Sequence, residues 1–182
     1  EKMIGLKIHL DIASAKWKNV FPRLHSKVEE AAATAFLNAK KPAAFKNRFF
    51  DISILLTDDT NMKALNKNYR HKNKPTNVLS FPQLSLKKFR RTSLDVFPLK
   101  SAIPLGDIVL AFQTIKRESR EQKKSLENHV VHLIVHGTLH LLGYDHTLLK
   151  DAKAMEKLEC DILESLGYPD PYQDKTVRKI KH

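Results

Sequence analysis

The chain alternates between two spacings of apolar residues. Residues 5–13 (GLKIHLDIA) alternate apolar and polar positions and predict a strand. Residues 48–56 (RFFDISILL), β-branched and aromatic, predict a second. Asn77–Phe81 predicts a third, stopped by Pro82, and residues 105–110 (LGDIVL) a short fourth. Elsewhere the period is helical. Val28, Ala31, Ala32, Ala35, Phe36 and Ala39 share one face over 24–40, with Pro42 just beyond. Thr57-Asp58-Asp59 reads as a helix start, followed by the stripe Met62, Leu65, Tyr69. A basic helix is expected from about 112 to 124, carrying Lys116, Arg117, Arg120, Lys123 and Lys124. Residues 127–142 are apolar on most faces, which predicts a buried central helix. Residues 149–166 place Met155, Leu158, Ile162, Leu163 and Leu166 on one side. Strands and helices that do not strictly alternate predict an α+β fold: a small four-stranded mixed sheet packed with about five helices.

Residues 83–104 break this pattern. They carry Lys87, Lys88, Arg90 and Arg91, the two prolines Pro98 and Pro104 and no periodicity, so a long loop is expected there. The stretch after Gly167 is rich in proline and lysine. Residues 1–168 are therefore read as a single domain and 169–182 as a basic, flexible tail. A chain of 182 residues, 42% hydrophobic and 29% charged, is an ordinary globular composition. No apolar run reaches membrane length, no signal-peptide pattern opens the chain, and Met3 is a candidate natural start. The lone Cys160 excludes an internal disulfide, fits a reducing cytoplasm and leaves histidine to supply metal ligands. The formal net charge of +12 points to a polyanionic partner, nucleic acid or an acidic membrane.

The densest chemistry lies in His136-Gly137-Thr138-Leu139-His140-Leu141-Leu142-Gly143-Tyr144-Asp145-His146. His136 and His140 are four apart, so on a helix they stand one turn above each other. Gly143 can end that helix in a left-handed turn and bring His146 back. Three imidazoles around one cation, with a fourth position open, fit a catalytic zinc site on a metzincin-like central helix. Nickel, copper and iron share the donor type. His132 lies one further turn back. One ion cannot reach both His132 and His140, so His132 reads as a core histidine or one that orients a ligand. Zinc proteases place their general base, a glutamate, directly after the first histidine. Here that position is Gly137. The site therefore suits chemistry that leans on charge neutralisation, such as phosphodiester cleavage. Asp145 and His132 are candidates for the base, and Asp145 is equally a candidate hydrogen-bond partner.

A second dense stretch runs from Leu65 to Pro82. Arg70 ends a helix there and opens a polar loop fixed by Pro75. Its guanidinium could fork onto phosphate oxygens or simply face solvent at the helix C-terminus. With TNVLSFP, LGDIV and HLIVHGTLHLLGYDH, the chain from about Asp58 to Leu166 resembles the YbeY family of bacterial single-strand-specific metallo-endoribonucleases. The resemblance implies one zinc ion held by His136, His140 and His146, and a cleft arginine important for activity at Arg70. It implies work in ribosomal RNA processing, including the 3′ end of the small-subunit RNA, and in ribosome quality control. Single-stranded RNA and the small ribosomal subunit are then the expected partners, and neither a membrane nor DNA is expected. Two features depart from the family pattern: asparagine at 73 and 77, where aspartate is frequent, and the long 83–104 segment. The basic helix 112–124 and the 87–91 cluster are candidates for holding RNA backbone. A metzincin-like metalloprotease and a non-catalytic ribosome-assembly factor with a structural metal are the alternatives.

Overall fold

The computed structural model describes residues 5–86 and 94–173. Four strands form one sheet: β1 (Gly5–Ile12), β2 (Phe49–Thr57), β3 (Val78–Pro82) and β4 (Ala102–Ala111), in the order β1-β2-β4-β3. β1, β2 and β4 run parallel, and β3 pairs antiparallel with β4 at the edge. Five helices complete the fold: α1 (Leu24–Asn38), α2 (Asp59–Arg70), α3 (Phe112–Glu121), α4 (Leu126–Leu141) and α5 (Leu149–Ser165). The expected α+β fold with a mixed four-stranded sheet is the observed one.

Alternation along the strands sets the layers. Phe50, Ile52, Ile54 and Leu56 of β2, with Ile108 and Leu110 of β4, are buried on the face that carries α1 and α4. Val109 and Ala111 point the other way and close a smaller cluster with Leu79 and Met62 of α2. Helix α4 fills the middle of the molecule, with Val130, Val131, Ile134, Val135, Leu139 and Leu141 all buried. Ser125 caps its first turn, its hydroxyl accepting from the Asn128 N–H at 3.0 Å.

Strand β4 begins three residues earlier than its hydrophobic run predicts. Pro104 has no N–H to give a ladder, and a proline inside a strand reads as a break. Here Pro104 sits at a register shift against β2, between Asp51 and Ile52, and β3 joins β4 only from Gly106 onward. The missing donor is therefore not demanded by a neighbouring strand. Gly106 adopts φ +143, and a Cβ there would stand 2.2 Å from the Phe81 carbonyl oxygen, so β3 can lie this close only against glycine.

The chain after Gly167 does not leave the body at once. The Tyr168 hydroxyl donates to Glu127 at 2.9 Å, and Lys124 Nζ donates to the Pro171 carbonyl at 2.8 Å. Residues 174–182 lie outside the described residues, as do Lys87, Lys88, Arg90 and Arg91 of the basic loop cluster. Leu94, further along that loop, is buried, and its carbonyl and that of Phe97 accept from the buried Arg48 guanidinium at 3.3 and 2.9 Å. No helix among the described residues is long and apolar enough to cross a membrane.

Candidate metal centre

His136 and His140 project from one face of α4, one turn apart. The helix then ends as the glycine predicts. Gly143 takes φ +87, its N–H donates to the His140 carbonyl at 3.0 Å, and the Tyr144 N–H reaches back to the Leu139 carbonyl at 3.1 Å. This paired closure turns the chain and returns His146 to the helix. The same turn orients a ligand: His140 Nδ1 donates to the Tyr144 carbonyl at 2.9 Å, which leaves its Nε2 with a lone pair.

The three Nε2 atoms converge. His140 Nε2 stands 3.1 Å from His136 Nε2 and 2.8 Å from His146 Nε2. His136 Nδ1 donates to Glu159 Oε1 at 2.7 Å, so its Nε2 also presents a lone pair. Facing lone pairs repel unless a proton or a cation lies between them. Nitrogens that share one zinc at about 2.0–2.1 Å stand a little over 3 Å apart in a tetrahedron. Burial, then the neighbouring His136 and His146, push His140 down to about 4, so its ring is neutral at pH 7. A neutral His140, with the far nitrogens of His136 and His140 tied elsewhere, suits a divalent cation of zinc type, and the residues fit that group.

The acid behind the centre is not evident from the sequence. Glu159 of α5 is fully buried and accepts from His136, from His132 Nε2 at 2.9 Å, and from the Tyr172 hydroxyl. Burial alone would raise this carboxyl. The hydrogen bonds from His132 and His136 outweigh it and hold Glu159 well below the usual carboxylate range. The available signal was a charged residue inside the buried stripe of α5, between Met155 and Ile162. Tyr172 gave no signal beyond its aromatic ring. His132, buried and bonded to Glu159, takes the orienting place expected for it; burial first of all keeps its own ring on the neutral side. His132, His136 and Glu159 also form a cluster close enough for a metal. The direct hydrogen bonds among them account for that proximity.

Asp145 serves the loop. Its Oδ1 accepts from the His146 N–H at 2.8 Å and the Thr147 N–H at 3.3 Å, and its Oδ2 from the Thr147 hydroxyl at 2.6 Å. Of the two roles open to it, the observed bonds match the hydrogen-bond partner.

Gly137 has a structural reason to be glycine. A Cβ there would meet Ile108 Cγ2 at 3.0 Å and Ser80 Oγ at 3.1 Å, so α4 rests its backbone on β3 and β4 at this point. A protease-type glutamate would be driven into the sheet. Gly137→Glu is expected to cost about 1–3 kcal/mol or more through overpacking and to give no peptidase activity. A urea melt and a casein digestion check both halves.

Arg70 closes α2. It lies at the exposed end of α2, beside Tyr69, whose ring meets Phe81 of edge strand β3 at 5.2 Å. Its helix packs through Met62 on the face of the sheet opposite α4. Among the described residues the Arg70 side chain has no hydrogen bond or ion pair. Asn66, buried one turn earlier, shapes the loop that follows by donating to the Lys74 carbonyl at 2.7 Å. Asn77, one of the two asparagines that depart from the family pattern, has no hydrogen bond to the three histidines. Its amide donates to Glu118 at 3.0 Å, and Glu118 holds His129 of α4 at 2.8 Å.

The family model described as Endoribonuclease YbeY matches residues 12–167. The chain belongs to that family. A curated relative from Zymomonas mobilis, named Endoribonuclease YbeY, is 49% identical over 129 residues, covering 71% of this chain and 72% of its own. One of the same name from Bartonella quintana is 39% identical over 173 residues, covering 93% and 98%. A solution structure of a Thermotoga maritima protein aligns with TM-score 0.51 at 19% identity, over 88% of this chain and 92% of that one, which shows the shared fold.

Proposed function

We propose that this YbeY-family chain is a zinc-dependent endoribonuclease that cuts single-stranded RNA. It works in ribosomal RNA maturation, including the 3′ end of the small-subunit RNA, and in ribosome quality control. Its place is the cytoplasm, and its partners are ribosomal RNA and the small ribosomal subunit. Residues 1–168 form the catalytic unit and 169–182 a basic tail. The observation that carries this reading is the convergence of three imidazoles at a glycine turn, in a chain whose relatives are named endoribonucleases.

His136, His140 and His146 would hold the ion through Nε2. When bound, zinc supplies Lewis-acid charge at a phosphodiester. The chain's own residues do the rest. The Tyr144 carbonyl and Glu159 fix the ring orientations of His140 and His136, so these two ligands are ready before metal arrives. Gly137 presses α4 onto the sheet and leaves no carboxylate beside the first histidine. Arg70, with no partner for its guanidinium among the described residues, binds phosphate oxygens as a fork.

The deciding experiment incubates metal-loaded protein with labelled single-stranded RNA and reads the cut ends. Intact RNA, indistinguishable from that left by a triple histidine variant, would sink the nuclease reading. A 2′,3′-cyclic phosphate end would mean attack by the neighbouring hydroxyl, and a linear end attack by water. Arg70→Ala is expected to keep its metal and to lose turnover by about 100- to 1,000-fold, the usual effect of removing one group that neutralises transition-state charge. Loss of metal in that variant would instead place Arg70 in the structure of the centre.

A further inference from the structure

A shallow concavity of about 700 Å³ lies between α3 and the 3-10 turn Ala15–Trp17. Lys16, Lys116, Arg117 and Arg120 line it, with Glu121 as the one carboxylate in its wall and none of the three histidines. Arg117 lies 4.0 Å from Glu121. Lys16, Lys116 and Arg120 have no carboxylate within ion-pair distance among the described residues. The other acid of α3, Glu118, is turned inward to His129 and Asn77. Lys116 and Arg120 are like charges four apart on one helix, an arrangement that destabilises the helix unless an anion relieves it. The walls are fixed: the Trp17 and Phe112 rings meet edge to face at 5.2 Å, and Lys116 lies over the Phe112 ring.

We propose that this trough is an accessory site for the sugar–phosphate backbone of single-stranded RNA, away from the metal centre. The inference rests on the ribonuclease reading and extends it to where the substrate is held. Unpaired cations along one rigid concave wall match a repeating phosphate charge and read no sequence. A lipid surface fits less well. Helices that lie on membranes expose an apolar face, whereas Phe112 and Ile115 of α3 are buried in the core. The trough also sits beside the helix that carries the ligands. Glu118 of α3 holds His129 of α4, seven residues before His136, about 10 Å along the axis.

The test is fluorescence anisotropy of a labelled, mixed-sequence single-stranded RNA 20-mer against full-length, zinc-loaded protein at several salt concentrations. The Lys116→Glu, Arg120→Glu double variant is expected to bind about tenfold or more weakly at low salt. Its slope of log affinity against log salt should be shallower by about 0.7 for each phosphate that the variant no longer neutralises. Zinc content and unfolding midpoint should match the parent. If charge reversal impairs folding, the neutral Lys116→Gln, Arg120→Gln pair is expected to show a smaller loss of the same kind. Variants that bind RNA with the parental affinity and slope overturn the proposal. So do variants that lose only binding to phosphatidylserine vesicles. If the parent cuts the 20-mer while the variants bind it unchanged, this trough fails and the nuclease reading stands. If the parent neither binds nor cuts it, both fail.

Discussion

His140→Ala is expected to abolish zinc binding and RNA cleavage while leaving the fold intact. His140 stands at the middle of the centre, its Nε2 3.1 Å from that of His136 and 2.8 Å from that of His146. Removing it leaves two ligands on separate segments, and loss of one ligand of three should weaken the site by about a hundredfold or more. Folding should hardly suffer. The ring is only partly buried, its lone pair faces two others, and alanine favours a helix. Without metal, the variant should unfold within about 1 kcal/mol of the parent. The contrast appears when zinc is added. At a thousand times the parent's dissociation constant, the ion should stabilise the parent by about 4 kcal/mol and a variant weakened a hundredfold or more by about 1.4 kcal/mol at most. Calorimetry with and without zinc reads this directly. An equal zinc-dependent shift in both proteins would remove His140 from the centre. His136→Ala should behave likewise towards metal.

What the sequence made legible follows the range of the interactions. The metal motif is local: eleven consecutive residues contain the helix face, the stop signal and the returning ligand, and the paired closure at Gly143 is set by nearest neighbours. The central helix was legible because burial on all sides leaves no polar stripe. The start of β4 was not, because Pro104 argues locally against a strand and only the pairing partners on either side make it tolerable. Glu159 was not legible for a similar reason. A carboxylate on α5 becomes part of the centre only when α5 packs against α4 and brings it to His132 and His136, 27 and 23 residues away in sequence. Gly137 reads in the sequence as a missing base. The structure adds that helix-on-sheet packing leaves no room for one.

Glu159 carries the other large expected effect. Glu159→Ala would strip the acceptor from His132 Nε2 and His136 Nδ1 in a fully buried place and remove the partner of the Tyr172 hydroxyl. Removing one side of a buried charged network costs about 3–5 kcal/mol, which for a chain of this size lowers the unfolding midpoint by about 10 °C. Zinc affinity should fall about 10- to 100-fold, because nothing would fix the lone pair of His136 toward the ion. Glu159→Gln should not rescue the site. An amide offers one acceptor oxygen and sets its NH₂ against the second imidazole N–H. A pH series separates this role from simple packing. The carboxyl of Glu159 is held below its ordinary value of 4.5 in the folded chain, so the folded state binds its proton less readily than the unfolded one. The stability it contributes is present above about pH 4.5 and drains away as pH falls through that value towards the folded one. Metal-free parent protein should therefore lose stability on acidification in that window, and Glu159→Gln should flatten the loss. Tyr172→Phe removes one of the three donors and keeps the ring. It should weaken zinc less than Glu159→Ala does, and in the same direction. A Glu159→Gln protein with parental zinc affinity and an unchanged acid limb would show that the buried acid supports the fold alone.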